Sequence, residues 1–524
     1  MPSAGNASHA RAVVIGAGMG GLAAAIRLAA AGCQVTVIET AEGPGGKARS
    51  RASEAGPVAM GPTVLTLRAE VDALFRLCGS RTEDELDLVA LPLLARHWWP
   101  GSGPLDLHPD RDANIEAIRA FAGQAEAEGF ARFDARTRAL YAAFEAPVMQ
   151  SSRPDLRAIL QATLSRPAIW APLLPGMTLD RWLGQFFRDP RLRQLFGRYA
   201  TYVGGRPART PAVLGLIWQA EAQGVWAARD GIHALAEALA RAAIRLGVVF
   251  RYATRARRIV RQSGRVSAVE IEGGTRLACD IAVFNGDPRA LAEGQLGDAP
   301  RAAMPRLALP KPSLSAWVWS FAARAVGPTA AALRHHNLFF TADPAQEFGP
   351  IGRGLMPAAP TLYLCAQDRE LGPAPPVERF QIIMNGPADH QASKDEDQAC
   401  QDRCFPHLRN LGLGFSPPPT AAWLTRPSDL ATRFPGSKGA IYGQSPEGMM
   451  AAFRRPTART RLPGLYLAGG GVHPGAGVPM ALISGRQASA QALSDLTSGS
   501  LSDRTAMPGG TSTASRRMDR KPSR

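Results

Sequence analysis

One short segment near the start of the chain constrains its fold more than any other. Residues 11–38 read as a strand (RAVVI), a glycine turn (GAGMGG), an Ala/Leu-rich helix and a second strand (QVTVI). Gly16, Gly18 and Gly21 form the pattern GxGxxG, in which the glycines permit a tight turn, a close approach of pyrophosphate and close helix packing. The helix N-terminus then faces the phosphates. The segment therefore predicts a βαβ unit that binds a dinucleotide.

An acidic residue at the end of the second strand supports this interpretation. Glu39 lies where a carboxylate can accept both hydroxyls of an adenosine ribose, and where it disfavours a 2'-phosphate. The glycine pattern alone also fits a purely structural turn beside a buried strand. Glu39 favours dinucleotide binding over that alternative.

Two further glycine-rich segments indicate FAD rather than NAD. Residues 42–50 (EGPGGKARS) contain a glycine pair and two basic residues that suit a second contact with the pyrophosphate, namely Gly45, Gly46, Lys47 and Arg49. Alone, this loop also fits an ordinary solvated turn. Residues 465–485 (LYLAGGGVHPGAGVPMALISG) again read as strand, glycine loop and helix start. They bring a second helix N-terminus toward the flavin end of the cofactor.

Charge and cysteine content restrict the partners and the compartment. The net charge of +16 favours an acidic partner, but only five of the sixty basic residues are lysines and no nucleic-acid module is recognisable. The arginine-rich run 251–265 alternates with apolar residues, as an exposed strand does. Six cysteines without a paired framework indicate a reducing compartment. We therefore expect a cytoplasmic protein without a nucleic-acid partner.

Metal binding and membrane spanning are both disfavoured. Cys400, Cys404 and His407 fall on one helix face without a fourth ligand, so we expect them in the core and predict no metal. No stretch reaches the roughly 18 to 20 apolar residues that a spanning helix needs, so any membrane contact is peripheral.

The distribution of patterns along the chain predicts an α/β fold. It comprises a Rossmann-like FAD-binding domain of the two-dinucleotide type and a discontinuous α+β substrate domain with a helical insertion. The predicted ranges are 10–75, 228–300 and 436–496 for the FAD-binding domain, 76–227 and 301–435 for the substrate domain, about 110–225 for the insertion, and 497–524 for a disordered basic tail.

The glycine-rich segments resemble those of the phytoene desaturase and amine oxidase superfamily of FAD enzymes. GGVHPGAGVPMA is similar to its carotenoid desaturase branch. Further runs resemble the bacterial 1-hydroxycarotenoid 3,4-desaturases, namely GPTVLT (61–66), ARHWWPGSGPLDL (95–107), FGRYATYVGGRP (196–207), LIWQAEAQGVWA (216–227), FNGDPRAL (284–291) and LYLCAQDRE (362–370). The resemblance covers about residues 11–495.

This resemblance implies FAD as the cofactor, and an activity that introduces a 3,4 double bond into an acyclic 1-hydroxycarotenoid by hydride transfer to the flavin. Oxygen or a quinone is the implied electron acceptor, and the implied location is the surface of the inner, photosynthetic membrane. The implied FAD-binding residues are Gly16, Gly18, Gly20, Gly21, Glu39, Gly45, Gly46, Lys47, Arg49, Gly61, Pro62, Thr63, Ala256, Gly469, Gly470, Pro479, Met480 and Ala481.

The chemistry of desaturation needs few catalytic side chains, because a polyene spreads the developing positive charge itself. Orientation, a dry tunnel and the cofactor suffice in principle. The catalytic residues stay unknown; His97, Glu221 and His473 are candidates for a base, each with a structural role as the alternative. Four tryptophans either line a carotenoid tunnel or pack in the core, namely Trp98, Trp99, Trp218 and Trp226. A polar group should meet the hydroxyl of the substrate, and the sequence does not reveal which.

One segment of the insertion suits a membrane surface. Residues 166–188 combine seven large apolar side chains, from Trp170 to Phe187, with Arg166, Arg181 and Arg188. The alternative is packing against the domain beneath, and a substrate dissolved in lipid favours membrane contact.

Other functions remain open at this stage. Within enzymes they are a phytoene or carotene desaturase, a carotene isomerase and an amine oxidase, which would release peroxide. Outside enzymes the alternative is a flavin-free carrier of prenyl lipids with the same fold. The glycine loops and Glu39 favour a flavoprotein, which would be yellow.

Overall fold

A computed structural model describes residues 10–304, 310–391 and 393–505. The described residues form twenty strands, β1 (Arg11–Ile15), β2 (Gln34–Ile38), β3 (Ser50–Arg51), β4 (Val58–Ala59), β5 (Leu88–Ala90), β6 (Ala95–Trp98), β7 (Leu105–Leu107), β8 (Trp226–Ala228), β9 (Val249–Arg251), β10 (Ala256–Gln262), β11 (Arg265–Ile271), β12 (Arg276–Ala278), β13 (Ile281–Phe284), β14 (Ser315–Val326), β15 (His336–Phe339), β16 (Leu362–Ala366), β17 (Glu378–Gly386), β18 (Gly414–Ser416), β19 (Leu424–Thr425) and β20 (Leu465–Leu467).

The same residues form sixteen α-helices, joined by short 3-10 segments and one π-helical segment. They are α1 (Met19–Ala30), α2 (Ala69–Leu77), α3 (Thr82–Glu85), α4 (Arg111–Ala122), α5 (Gln124–Phe144), α6 (Leu156–Leu164), α7 (Leu179–Leu183), α8 (Pro190–Gly197), α9 (Ile217–Ala222), α10 (Ile232–Arg245), α11 (Pro288–Ala292), α12 (Asp298–Ala303), α13 (Ala345–Gly352), α14 (Glu396–Asn410), α15 (Pro427–Arg433) and α16 (Val478–Thr505).

The first sheet is parallel and has the strand order β20-β13-β1-β2-β9. Its short strands are rich in Val, Ile and Ala and are buried on both faces at the centre, as helices on both faces of a parallel sheet require. Helix α1 packs against α10, α2 and α16 beside this sheet. Because the strands are parallel, the carboxyl ends of β1, β2, β13 and β20 lie along one edge, where the predicted site residues follow.

The second large sheet is mixed and has the order β18-β14-β17-β16-β15-β6-β7, with β19 also pairing β14. It takes β6 and β7 from the first segment of the predicted substrate domain and its other strands from the second segment. Three smaller sheets are formed by β10-β11-β12, β3-β4 and β5-β8. This distribution agrees with the predicted α/β class. The domain boundaries themselves stay a prediction.

The predicted insertion is helical from α4 to α9. Residues 166–188, for which we predicted membrane contact, are partly buried and partly exposed. Although Arg181, Gly184 and Gln185 are exposed, Trp182 and Phe187 are fully buried and pack around Phe133, so these two side chains form core rather than surface. The prediction of membrane contact was wrong for these residues because α5 supplies an apolar partner for them. Trp170 and Leu174 remain exposed.

The end of the chain differs from the expectation over nine residues. Helix α16 runs to Thr505, so residues 497–505 are helical, whereas the sequence predicts a disordered tail from 497. The rest of that predicted tail, 506–524, lies outside the described residues. No helix in the described part of the chain is long and apolar enough to span a bilayer.

Candidate functional site

The first glycine loop joins β1 to α1 with the geometry that the sequence predicts. Gly16 has a φ of +102°, and its N–H donates to Ile38 O at the end of β2. A Cβ on Gly21 would lie 2.1 Å from Gly16 O, so only glycine allows the helix to start here. The N-cap of α1, Gly18, offers no side chain to the first N–H groups. This leaves an uncapped, positive helix end that suits a phosphate.

The last glycine loop lies directly against the first. A Cβ on Gly20 would come within 2.6 Å of Gly469 N, and a Cβ on Gly485 would come within 2.3 Å of Gly20 O. The N-terminal part of α1 therefore packs on the last glycine loop and on α16 at glycine contacts. Gly469 has a φ of +106°, and its N–H donates to Ser484 Oγ at 2.7 Å. The N-terminus of α1 and the last glycine loop are thus direct neighbours.

Asn285 lies between the two loops and contacts both of them. It follows β13, and its Nδ2 donates to Gly16 O at 3.2 Å. A Cβ on Gly18, Gly20 or Gly469 would lie 2.7 to 2.8 Å from its amide group. Our sequence analysis missed this residue; the available signal was a polar side chain directly after a buried strand, in the FNGDPRAL run.

Glu39 lies at the carboxyl end of β2 and is largely buried. Its Oε2 accepts from Ala17 N at 2.7 Å and its Oε1 accepts from Ala41 N at 2.9 Å. These bonds fix the carboxylate next to the glycine turn and leave lone pairs for the hydroxyls of a ribose. The N–H of Thr254 donates to Glu39 O, which brings Ala256, at the start of β10, close to this end of the site.

The second glycine pair packs on the first loop. Gly45 N donates to Ala17 O at 2.9 Å, and a Cβ on Gly46 would lie 3.2 Å from the Cα of Gly18. Gly61 is equally confined, since its Cβ would lie 1.9 Å from Lys47 O. The structure therefore brings together the glycines that the sequence analysis selected from three distant segments.

The two basic residues of this loop are more buried than a solvated turn allows. Lys47 Nζ donates to the carbonyls of Ala440 and Ile441 at 3.1 and 3.0 Å, and burial lowers the pKa of Lys47. Arg49 lies over the ring of Phe434, and burial lowers its pKa to about 10. Lys47 thereby holds the 440–442 segment beside the glycine loops, rather than reaching freely toward a phosphate.

Another buried cation, Arg455, connects this segment to the last loop. Its Nη1 donates to Gly470 O at 2.8 Å and its Nη2 donates to Tyr442 O at 3.1 Å. Burial lowers the pKa of Arg455 to about 10, while Asp287 opposes that fall. Arg455 and Tyr442 both line the cavity described next, and the sequence analysis missed both.

A large cavity starts at the last glycine loop. Its volume is about 1140 Å³, and its wall includes Pro62, Thr63, Pro479 and Met480 of the predicted site, whereas Ala481 lies one residue further into α16. Most of the remaining wall is apolar. The cavity reaches the surface at exposed side chains, which are Leu174, Met449, Met450 and Phe453. It thus joins the end of the dinucleotide site to a mouth in the protein surface.

The three candidate bases have different surroundings. His97 is buried between Trp99 and Phe340, its Nδ1–H donates to Leu105 O at 3.1 Å, and it lies outside the cavity wall. His473 lines the cavity, but its Nε2 is hydrogen-bonded to Ser151 O at 3.1 Å. Burial lowers the pKa of both histidines, which keeps them neutral. Glu221 lines the cavity in an ion pair with Arg198.

The tryptophans and the cysteine cluster serve the core. The four tryptophans that sequence analysis singled out are all outside the cavity wall. Trp98 stacks on Phe339, and Trp218 donates from Nε1 to Asp134 Oδ1 at 3.0 Å. Cys400 and Cys404 are fully buried among apolar side chains, as predicted. The arginines of β10 are exposed, which confirms a solvated strand face.

The arrangement fits FAD on its structural features. The uncapped N-terminus of α1 meets the last glycine loop at contacts that any Cβ would close, and a buried carboxylate lies at the end of β2. Beyond them an apolar cavity opens, which would receive the flavin end of an extended dinucleotide. The implied residue-by-residue contacts with FAD remain a prediction.

Comparison with known proteins agrees with this geometry. The pattern of a family described as flavin containing amine oxidoreductase matches residues 19–493. The chain is 60% identical over 489 residues to the hydroxyneurosporene desaturase of Rhodobacter capsulatus, covering 93% of this chain and 98% of that protein. It is 56% identical over 489 residues to the enzyme of the same name from Cereibacter sphaeroides, with the same coverage.

Solved structures are similar in fold. A putrescine oxidase bound to putrescine superposes with a TM-score of 0.56 at 12% identity, covering 93% of this chain and 99% of that one. At this identity the likeness establishes the fold and nothing about the substrate.

Proposed function

The chain belongs to the flavin-containing amine oxidoreductase family, and from this premise we propose that it introduces the 3,4 double bond into an acyclic 1-hydroxycarotenoid. The broader assignment is an FAD-dependent carotenoid desaturase of carotenoid biosynthesis, an oxidoreductase acting on CH–CH bonds. The relatives named hydroxyneurosporene desaturase support the hydroxylated substrate. The bond position and the electron acceptor belong to the proposal.

The observation that carries this function is the apolar cavity that opens at the last glycine loop. A polyene hydrocarbon offers almost no hydrogen-bonding groups, so it is bound by apolar surface. The wall supplies this surface from α8, α9, the second sheet and the loop before α16. An amine substrate would instead call for charged or aromatic recognition of its cation.

The residues of the chain orient the substrate and keep the reaction dry. Pro62, Thr63, Met480 and Tyr442 line the cavity, and we infer that they do so where it meets the cofactor site. Thr63 Oγ1 is bonded to Tyr363 Oη at 2.6 Å, and that hydroxyl is bonded to His336 Nδ1 at 2.7 Å, which fixes this wall. When bound, FAD supplies the hydride acceptor at N5, with oxygen or a quinone as the final acceptor of the two electrons.

A membrane surface suits the exposed mouth of this cavity. Leu156, Leu160 and Leu164 of α6 are 65%, 58% and 65% exposed, and none of the residues of α6 is buried. Their spacing of four places them on one helix face. Ile159 of the same helix lines the cavity. The apolar face of α6 therefore lies next to the route by which a lipid-dissolved substrate would enter.

Other exposed apolar side chains extend this surface, and exposed basic side chains favour an anionic bilayer as its partner. Trp170 and Leu174 are 48% and 53% exposed, and Met449 and Met450 flank the same mouth. The surrounding basic side chains that are exposed are Arg157, Arg166 and Arg181. Apolar side chains with cations around them are typical of proteins that lie on anionic bilayers. We name Leu156, Leu160, Leu164, Trp170 and Leu174 the docking patch.

The test of the reaction is product analysis. FAD-loaded protein is incubated with liposomes that contain either a 1-hydroxycarotenoid or phytoene, and the pigments are separated and weighed by mass spectrometry. The proposal expects a product that is two hydrogens lighter, and red-shifted, from the hydroxylated substrate. Conversion of phytoene alone would assign the protein to an earlier desaturation instead, and an unchanged mass with altered geometry would indicate an isomerase.

A further inference from the structure

A buried ion pair interrupts the apolar wall of the cavity. Arg198 Nη2 lies 2.8 Å from Glu221 Oε1, and both side chains are less than 5% exposed. Both residues line the cavity. Removing two charges from water is costly, and the attraction between them often only offsets that cost. Apolar side chains of similar size would suit a pure hydrocarbon substrate better, so the pair needs another explanation.

Two tyrosines complete the cluster around the guanidinium group. Arg198 begins the 3-10 segment that follows α8, and Glu221 lies on α9. Arg198 Nη1 donates to Tyr202 Oη, and its Nη2 donates to Tyr199 Oη at 3.3 Å. Burial raises the pKa of Tyr202, and the charge of Glu221 raises it further, so its hydroxyl keeps its proton. Tyr202 accepts from Arg198 and, because it keeps its proton, it is also a hydrogen-bond donor.

The cluster leaves one acceptor unused. Glu221 Oε2 is buried and has no hydrogen-bond partner, and among the described residues that line the cavity it is the one buried oxygen of which this is true. A buried carboxylate oxygen without a partner loses its hydration without compensation. Such an atom, on a side chain that lines a ligand cavity, is typical of a site whose partner is the ligand.

Among the described residues of the cavity wall, the other buried side-chain oxygens are hydrogen-bonded, while two guanidinium nitrogens, Arg193 Nε and Arg198 Nε, lack a partner. Glu347 is a buried carboxyl group in the same wall, but its Oε1 accepts from Asn385 Nδ2 at 2.9 Å and its Oε2 accepts from Thr361 N at 3.4 Å. Arg206 and Glu447 form a pair with two bonds. This contrast distinguishes Glu221 from Glu347, although both are carboxyl groups in one apolar wall.

We propose that Arg198, Tyr202 and Glu221 form the subsite that binds the hydroxyl group of the carotenoid. The alcohol donates its hydrogen to Glu221 Oε2 and accepts the hydrogen of Tyr202 Oη. Arg198 positions both partners and does not itself need to reach the substrate. This inference rests on the proposed function, because it assigns the hydroxyl of that substrate to named residues.

The physical consequence is discrimination against the parent hydrocarbon. A site built to bond a hydroxyl rejects the analogue that lacks it, because its own polar groups are then left unpaired. An unhydroxylated carotene would leave Glu221 Oε2 buried and unpaired beside an apolar chain end. The ion pair thus acts by excluding the wrong substrate as much as by binding the right one.

The experiment compares two substrates in several variants. The ratio of kcat/KM for a 1-hydroxycarotenoid to that for its unhydroxylated parent is measured for the FAD-loaded wild type, Tyr202→Phe, Glu221→Gln and Glu347→Gln. We expect Tyr202→Phe to lower the value for the hydroxylated substrate about 10- to 100-fold and to leave the value for the parent unchanged or higher. Glu347→Gln is the matched control, and the ratio should stay at its wild-type value.

A binding measurement accompanies the kinetics. Titration of protein whose flavin has been reduced beforehand, so that no hydride can be transferred, gives the Kd of each carotenoid, and the Kd of the hydroxylated one should rise in Tyr202→Phe while that of the parent does not. Glu221→Gln leaves a buried guanidinium without its counter-charge and can therefore fail to fold. In that case the result of Tyr202→Phe alone decides whether the subsite exists. An equal loss for both substrates, or an unchanged ratio, would overturn the subsite.

Failure of the subsite and failure of the function give different results. A wild type that prefers the parent hydrocarbon, or that oxidises neither carotenoid, contradicts the proposed function before any variant is made. A wild type that prefers the hydroxylated substrate, together with variants that keep the preference, contradicts the subsite alone.

Discussion

Replacing the three exposed leucines of α6 should release the protein from lipid. Burying a leucine side chain completely gives about 1.5 to 3 kcal/mol. Leu156, Leu160 and Leu164 are 65%, 58% and 65% exposed, so each has more than half of its surface left to bury. Each should therefore contribute about 1 to 2 kcal/mol on insertion, and the three together about 3 to 5 kcal/mol.

This free energy predicts a large change in partitioning. Since about 1.4 kcal/mol corresponds to a factor of ten, the variant with all three leucines changed to Gln should bind vesicles about 100- to 4000-fold more weakly. The assay is sedimentation of FAD-loaded protein with vesicles that contain anionic lipid. The fold should persist, because no residue of α6 is buried.

The matched control is a variant in which three exposed apolar side chains outside α6 are replaced. Leu77, Ile244 and Val249 are 41%, 55% and 54% exposed and lie on α2, α10 and β9, outside the cavity wall. Their replacement by Gln should leave vesicle binding unchanged. Equal binding by the α6 variant and the wild type, or an equal loss in the control, would refute the docking patch.

Three further predictions concern the cofactor site and the cavity. Gly20→Ala places a Cβ 2.6 Å from Gly469 N and should lower the FAD content of the purified protein at least about tenfold. The control is Gly43→Ala, whose Cβ meets no atom within 4 Å, and it should keep the wild-type FAD content. Equal flavin absorbance of the two variants would contradict the loop contact. Glu39→Gln removes the charge beside the ribose position and should weaken FAD binding about 10- to 100-fold in a titration, and an unchanged Kd would count against that role. Burial raises the pKa of Glu347 to about 7 from 4.5, so its contribution to stability is full below pH 4.5 and is lost as the pH rises through 7. The free energy of unfolding of Glu347→Gln, relative to the wild type, should therefore rise by about 3 kcal/mol between pH 4.5 and pH 8 in urea titrations; a pH-independent difference would refute it.

Local patterns were sufficient to predict the cofactor half of the molecule. The strands at β1, β2 and β13 are short β-branched runs, and the glycines of the first loop are required by contacts within a few residues, such as Gly21 with Gly16 O. The last glycine loop was also recognisable, because it repeats the same strand, turn and helix pattern. Its contact with Gly20 was not, because it joins residues about 450 positions apart.

The substrate half depends on contacts that periodicity does not contain. Residues 166–188 and the helix α6 are both rich in large apolar side chains. Trp182 is buried because Phe133 of α5 packs against it, while Leu160 has no such partner among the described residues. A sequence pattern gives the apolar face of an element but not whether another element covers it. That is why membrane contact was predicted for the wrong part of the segment.

The sequence also does not indicate which polar side chains pair with each other in the cavity wall. The sequence analysis selected Glu221 as a candidate base, but nothing local indicates that Arg198 neutralises one of its oxygens and leaves the other free. The need for a polar partner of the hydroxyl was foreseen from chemistry alone. The structure supplies a candidate because it shows which buried oxygen lacks a bond.

The most direct test of the whole account is anaerobic reduction of the flavin by substrate. FAD-loaded protein is mixed without oxygen with liposomes that carry a 1-hydroxycarotenoid or, separately, phytoene, while the flavin absorbance and the pigment spectrum are recorded together. The account predicts bleaching of the flavin with a red-shifted carotenoid from the hydroxylated substrate, and neither change with phytoene. A flavin that stays oxidised with both, or that is bleached by phytoene alone, would contradict it.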